Sequence, residues 1–380
     1  MRVAVLHNLT AGGAHRRLAE QIAAWDAEIV EFTTSLAVPV TPRPYVLPVK
    51  VVAPGLPAVL RPPRRPADLR RLRAVWLRLG QLAERDGADV IFANPDSVLR
   101  GSMPLGVTAT PVLRYCDEPR RIDYEPGLRD TLNPWTRALY AGLRKRERNL
   151  DRAAVAAADV IATNSAYSAA RLGAAYQRDA AVVPCGAPAR MTADLTEPDH
   201  LLSVGSLIPG KGHRLVIEAA ARSGLNRPVV IVAHRDDRPE RQRLLAVADR
   251  CGVRADIRVG VGDDELIGLY RRAFATLYLA AAEPLGLVSL EAQACGSPVI
   301  VADEGGLPET VAADRTGLVV PRTAEAAAQA LRTLARDGLR GRMSQAAAAG
   351  LNGHSWAASA VALGTLAERL AGHDVVGVAA

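Results

Sequence analysis

Two stretches of this chain have residue types and spacing suited to chemistry. The first is LLSVGSLIPGKGHRLVIEAAARSG, residues 201–224, which reads as a strand, a loop carrying Gly205, Gly210 and Gly212, and a helix. A glycine loop feeding a helix N-terminus presents backbone N–H groups and the positive end of the helix dipole, and Lys211 adds a full charge. A phosphate suits that loop. Gly205 to Lys211 also spells GxxxxGK, the opening of a Walker A loop. A P-loop needs Ser or Thr next to hold magnesium, whereas Gly212 follows here and no strand ends in a matching Walker B carboxylate, so the triphosphatase reading is set aside.

The second stretch is TLYLAAAEPLGLVSLEAQACGSPVIVADEGGLPETV, residues 276–311, with Glu283 in a loop and Glu291 inside the following helix. A helix starting near Gly286 leaves the amides of Leu285 to Leu287 as donors for a diphosphate. Glu291, over a turn deeper, is placed to reach back along the same groove, where a carboxylate can accept bonds from adjacent sugar hydroxyls. Gly305 and Gly306 close the groove from the other side. Taken alone, the two glutamates also read as an ordinary loop carboxylate and a helix-surface carboxylate.

These loops need a frame. Apolar runs of strand length alternate with helical stretches: RVAVL, AEIVEF, DVIFAN, PVLRYC, DVIATN and AVVPC, then LLSVG, PVVIVAH, IRVG, TLYLAAA, PVIVAD and GLVVP. Such alternation predicts doubly wound parallel sheets, here two Rossmann-like layers in tandem. A length of 380 residues suits two domains. Pro184, Gly186, Pro188 and Pro198 punctuate the chain between the two sets, which puts the linker near 185–200. The proline-rich segment 39–66 is expected to be a long irregular connection. Residues 67–83 form a basic amphipathic helix with Leu69, Leu72, Trp76, Leu79 and Leu82 on one face. That face can lie on a membrane surface or cover the sheet before DVIFAN; the second is the commoner use in an α/β domain.

Composition narrows the classes further. No run of eighteen uncharged apolar residues occurs, and the opening MRVAVLHNLTAGG reads as a buried strand rather than a leader, so a cytoplasmic protein is expected. Cys116, Cys185, Cys251 and Cys295 lie far apart with no CxxC pair, as core thiols do. Residues 1–190 carry nine more basic than acidic side chains, and the remainder has two more acidic than basic. This asymmetry suits an anionic acceptor, a phospholipid surface or nucleic acid, or simply solvated arginine-rich helix faces. Asp236 and Asp237 read as a solvated turn, and no DxD-type metal site is present.

With these motifs in order, the chain resembles the retaining family 4 glycosyltransferases of GT-B fold. EPLGLVSLEAQACGSPVIVADEGGLPETV followed by TGLVVP resembles their E-x7-E block, and LLSVGSLIPGKG their phosphate loop. TNSAYSAARL and AVVPCGAP resemble the last helix and strand before the linker, and TAGGAHRRL the N-terminal glycine loop. The resemblance implies two Rossmann-like domains facing a central cleft: an acceptor-side domain over 1–188, a nucleotide-sugar domain over 189–354, and a C-terminal segment 355–380 crossing back to the first. It implies ribose binding by Glu291 and donor-sugar binding by Glu283. The diphosphate would be held by Lys211 with the loop at Gly205 and Ser206 and the amides near Leu285, Gly286 and Leu287. Gly12 and Gly13 would let the first loop approach phosphates and acceptor.

The chain departs from that pattern at three positions. Ser206 stands where the family usually has Arg, His15 where Glu is common, and Asp117, in YCDEPRR, where a histidine helps hold the transferred sugar. Asp117 can accept bonds from hydroxyls or pair with an amino group; as a purely structural residue it would cap a helix or pair with Arg120 or Arg121. The implied reaction moves a sugar from a nucleotide diphosphate to a sugar, lipid or metabolite acceptor, with Lys211, Glu283 and Asp117 at the reacting centre. No metal or cofactor and no nucleic-acid partner are expected, and a peripheral membrane contact would run through the basic half. A noncatalytic nucleotide-sugar-binding subunit and a nucleotide-sugar epimerase are the rival readings.

Overall fold

The computed structural model describes residues 1–50, 65–125, 138, 141–194, 196–336, 338–351 and 353–372. The chain divides into two compact units, one of residues 1–164, 168–183 and 359–380, the other of 165–167 and 184–358. Residues 51–64 of the proline-rich segment and the last eight of the C-terminal segment lie outside the described residues.

The first unit is built on strands β1 (Arg2–Asn8), β2 (Glu28–Thr34), β3 (Tyr45–Leu47), β4 (Val90–Asp96), β5 (Val112–Tyr115), β6 (Val160–Thr163) and β7 (Ala181–Val182). They form one sheet in the order β3-β2-β1-β4-β5-β6-β7, each pair parallel. β1 shows why the strands read as unbroken apolar runs. Its side chains alternate between faces, Ala4 and Leu6 into one buried cluster and Val3 and Val5 into another, so both faces are covered. β3 corrects the expectation of an irregular connection over 39–66. Its three residues lie between Pro44 and Pro48 and pair with β2 at the sheet edge, the position where flanking prolines are tolerated.

Helix Arg65–Arg85 covers one face of this sheet. Leu69, Leu72, Trp76 and Leu79 are buried in the cluster that also holds Ala4, Leu6 and Ile91. The apolar stripe therefore serves the core, and the outward side keeps the arginines. Trp76 is fully buried and its Nε1 donates to Asp96 at 2.9 Å, so truncating it to Ala would cost about 3–5 kcal/mol. Asp96, at the end of β4, also accepts from Asn8 Nδ2 and from the amides of Val98 and Leu99. It ties the ends of β1 and β4 together. On the other face, Ala360, Leu363 and Ala367 of helix Trp356–Leu370 pack with Val3, Val5 and Phe92.

The second unit contains β8 (His200–Val204), β9 (Val229–Ala233), β10 (Ala255–Val259), β11 (Ala273–Tyr278), β12 (Val299–Ala302) and β13 (Gly317–Val320). All pair in parallel in the order β10-β9-β8-β11-β12-β13. One large core fills this unit, and a smaller cluster joins Cys185, Leu285, Leu290 and Trp356. In both sheets the order reverses beside the first strand, between β1 and β4 and between β8 and β11. Parallel α/β sheets bind ligands at the carboxyl ends of such strands.

The four cysteines are free thiols, and burial pushes Cys116 up to about 11 and Cys295 to about 12. Asp237 caps helix Arg238–Cys251 by accepting from the Glu240 amide at 3.0 Å, while Asp236 pairs with Arg241 at 2.9 Å. Among the described residues no helix is long and apolar enough to cross a membrane.

Candidate active site

The glycine loop leaves the end of β8, the Glu283 loop leaves the end of β11, and the two meet where the sheet order reverses. Lys211 stands in the short 3-10 turn Pro209–Lys211 and Gly212 follows in the left-handed region, φ 76°. Only glycine fits there: a Cβ on Gly212 would lie 2.2 Å from the Leu279 carbonyl oxygen. That close approach brings the two loops together. The Ala281 amide donates to the Gly210 carbonyl at 2.8 Å, and Arg322 Nε donates to the Leu279 carbonyl at 2.9 Å.

Lys211 Nζ lies 2.7 Å from Glu283 Oε2 and donates to the Tyr278 hydroxyl at 3.1 Å. Its charge also sits 5.6 Å from the Tyr278 ring centre, within cation–π range. Burial, followed by the charges of Glu283 and Glu291, pushes the Tyr278 phenol well above its ordinary range, so it stays protonated and can donate. Glu283 is half-buried and Glu291 is 3% exposed, with one Glu291 oxygen accepting from the buried Tyr270 hydroxyl at 2.9 Å.

Helix Leu287–Ala294 begins at Gly286, φ 107°, with no side-chain cap and no acidic residue in its first turn. An uncapped N-terminus of this kind offers its first amides and its dipole to an anion. Leu285, just before it, is buried, while Leu287 is partly exposed. The loop after β12 closes against Glu283: the Gly306 amide donates to the Glu283 carbonyl at 2.8 Å, and a Cβ on Gly305 would stand 2.4 Å from that oxygen.

Ser206 is exposed, and its engaged atom is the carbonyl, which meets His213 Nε2 at 3.1 Å. A carbonyl only accepts, so Nε2 carries the proton and Nδ1 accepts from Ser203 Oγ at 2.9 Å. Burial, with the nearby Lys211 charge, pushes His213 down to about 4 despite the bond to Ser206. A neutral imidazole thus holds the shape of the phosphate loop. Tyr278, Tyr270 and His213 were all missed by motif reading. Tyr278 reads as part of the apolar run of its strand and Tyr270 as an ordinary residue of helix Asp263–Arg271, while the position of His213 directly after GKG is the one local signal.

The remaining positions lie in the first unit. Gly12 and Gly13 follow β1, with Gly13 opening helix Gly13–Ala24, which has no side-chain cap and no acid in its first turn. His15 Nε2 meets the Val38 carbonyl at 3.1 Å. Asp117 follows β5 and departs from the expected cap or pairing with Arg120 or Arg121. Arg17 takes it instead, Nε to Oδ1 at 2.9 Å and Nη2 to Oδ2 at 3.3 Å. Arg120 and Arg121 are drawn away by Glu147 at 2.6 Å and Glu125 at 2.9 Å. Arg17 itself is 1% exposed, stacks 3.7 Å over Tyr115 and also bonds Gln21 and Asn94.

Residues 192–350 match the model of glycosyl transferases group 1. D-inositol 3-phosphate glycosyltransferase of Mycobacteroides abscessus is 34% identical over 171 residues, covering 44% of this chain and 35% of that protein. The match thus spans about a third of that relative's length. Solved structures match nearly the whole chain. Sucrose-phosphate synthase from Thermosynechococcus elongatus superposes at TM-score 0.70 with 21% identity, covering 97% of this chain and 98% of that one. Anabaena Alr3699/HepE, in complex with UDP and glucose, gives TM-score 0.72 at 17% identity over 96% and 98%. The fold is GT-B.

Proposed function

We propose that the chain is a glycosyltransferase that moves a sugar from a nucleotide diphosphate to an acceptor hydroxyl with retention of anomeric configuration. The observation that carries this reading is the 2.7 Å Lys211–Glu283 pair at the carboxyl ends of β8 and β11, beside the uncapped helix at Gly286. A cation and free amides next to a carboxylate match a substrate that is anionic at one end and rich in hydroxyls at the other. The group 1 match over residues 192–350 covers this region. Retention is proposed on the resemblance of the Glu283-to-Glu291 block to family 4 enzymes.

In the proposed step the bond from the anomeric carbon to the diphosphate oxygen breaks and its electron pair stays on the phosphate. The acceptor oxygen bonds to the same face of that carbon, and its proton passes to the departing phosphate. Lys211 and the amides at Gly286 and Leu287 would neutralise the leaving group, Glu283 would orient the sugar and Glu291 the ribose. Transfer is proposed to need no metal and to take place in the cytoplasm. Asp117, neutralised by Arg17, fits a neutral hydroxyl better than an amine. Incubating the chain in EDTA with UDP, GDP and dTDP sugars and reading the product anomer by NMR tests the proposal. Transfer that stops with EDTA and returns with magnesium, or an inverted product, would contradict it.

Ser206 favours a second reading. With an exposed hydroxyl in place of a second cation, the loop meets the diphosphate with Lys211 alone, as suits a subunit that binds a nucleotide sugar without transferring it. Donor binding without hydrolysis or transfer across the panel would select that reading.

A further inference from the structure

The first unit carries a groove that the proposed reaction does not use. It lies between helices Arg65–Arg85 and Ala141–Ala156 and has a volume of about 360 Å³, within the size range of small-molecule sites. Its apolar lining is Pro66, Leu69 and Leu150. Three exposed arginines border it: Arg70 and Arg73, one helical turn apart, and Arg146 from the facing helix, next to the Asn149 amide.

These arginines differ from their neighbours. Arg71 donates to the Lys50 carbonyl at 3.0 Å and lies 3.7 Å from Asp68. Arg120 and Arg121 are paired with carboxylates, as above. Arg70, Arg73 and Arg146 have no hydrogen-bond or ion-pair partner among the described residues. Three like charges border one concavity whose lining, among the described residues, holds no acid, which raises the local potential for an anion. Guanidinium forks match phosphoryl oxygens in geometry, and the apolar lining suits a carbon body rather than a bare ion.

We propose that this groove is a second phosphate site, which takes a phosphorylated organic molecule with its phosphoryl group on Arg70, Arg73 and Arg146 and its body over Pro66, Leu69 and Leu150. It belongs to the first unit, whereas the glycine loop belongs to the second. The site accepts the same chemistry from a free phosphorylated metabolite or from a lipid headgroup.

Titration calorimetry of the full chain with phenyl phosphate, inorganic phosphate and phosphatidic-acid vesicles tests this, comparing wild type with Arg70→Ala/Arg73→Ala/Arg146→Ala. Any binding at the glycine loop is common to both proteins, so their difference reports the groove. Saturable phenyl phosphate binding should weaken by about tenfold or more in the triple variant and exceed the affinity for inorganic phosphate. Arg73→Gln alone should give a smaller loss in the same direction. Vesicle binding displaced by phenyl phosphate identifies a lipid source, and phenyl phosphate binding without vesicle binding identifies a soluble one. Equal affinity of wild type and triple variant, or equal affinity for the two anions, overturns the proposal.

Discussion

Arg17 and Asp117 are a hundred residues apart in sequence and joined by two hydrogen bonds, with the guanidinium almost fully buried and the carboxylate 21% exposed. The arginine is further held by Gln21, Asn94 and the face of Tyr115. Asp117 therefore presents a fixed edge at the end of β5. Its charge already has a partner.

Asp117→Asn keeps the shape and removes the charge that Arg17 faces. Leaving that buried guanidinium partly unsatisfied should lower stability by about 1–3 kcal/mol, read as a shifted urea midpoint. Under the proposed function nucleotide affinity should hold while turnover falls. An unchanged midpoint together with full transfer would remove Asp117 from both roles.

Tyr278→Phe deletes the hydroxyl that bridges Lys211 and Glu283 while keeping the ring beneath the lysine charge. The fold should lose no more than about 1 kcal/mol. Donor affinity, measured by titration, should fall several-fold because Lys211 loses one of the bonds that aim it. Donor affinity equal to wild type would show that the phenol does not position the lysine.

His213 gives a pH dependence with a definite sign. Its folded value, about 4, lies below the ordinary histidine value, so between those two the unfolded chain binds the extra proton and folding stability drops as pH falls. The contribution is complete above about pH 6.5 and is lost towards pH 4, on the order of 3 kcal/mol in all. His200 is also lowered by burial, so the comparison must be between wild type and His213→Asn. The variant should show a shallower loss of urea midpoint between pH 7 and 4.5; parallel profiles would contradict the buried neutral tautomer.

Gly212→Ala should distort the site through the backbone. The residue sits in the left-handed region and its Cβ would meet the Leu279 carbonyl, so the loop must shift away from β11. A stability loss of about 1–3 kcal/mol and weakened nucleotide binding are expected. Thermal melting with and without UDP measures both, and a variant indistinguishable from wild type would refute the close approach.

What could be read in advance follows from how local each signal is. Parallel strands buried on both faces announce themselves as runs such as RVAVL and PVVIVA, and glycine loops before helices mark where phosphates can sit. β3 stayed hidden because three residues between prolines carry no period. Arg17 stayed hidden because nothing in AHRRL says which arginine turns inward, and its partner follows β5, two strands along the sheet from β1. Tyr278 reads as one more apolar residue closing β11, and only the fold sets its hydroxyl against Lys211. Side-chain pairing between segments far apart in sequence is a tertiary fact, which the strand and loop patterns do not carry.

Lys211 carries the central claim, because the proposed reaction asks its ammonium to neutralise the leaving diphosphate. Steady-state transfer by Lys211→Ala, with the fold verified by its melting profile and the donor supplied at saturation, measures that role directly. Turnover should drop by roughly a hundredfold or more if the lysine stabilises charge in the transition state. A folded Lys211→Ala protein with unchanged turnover and donor KM would contradict the account.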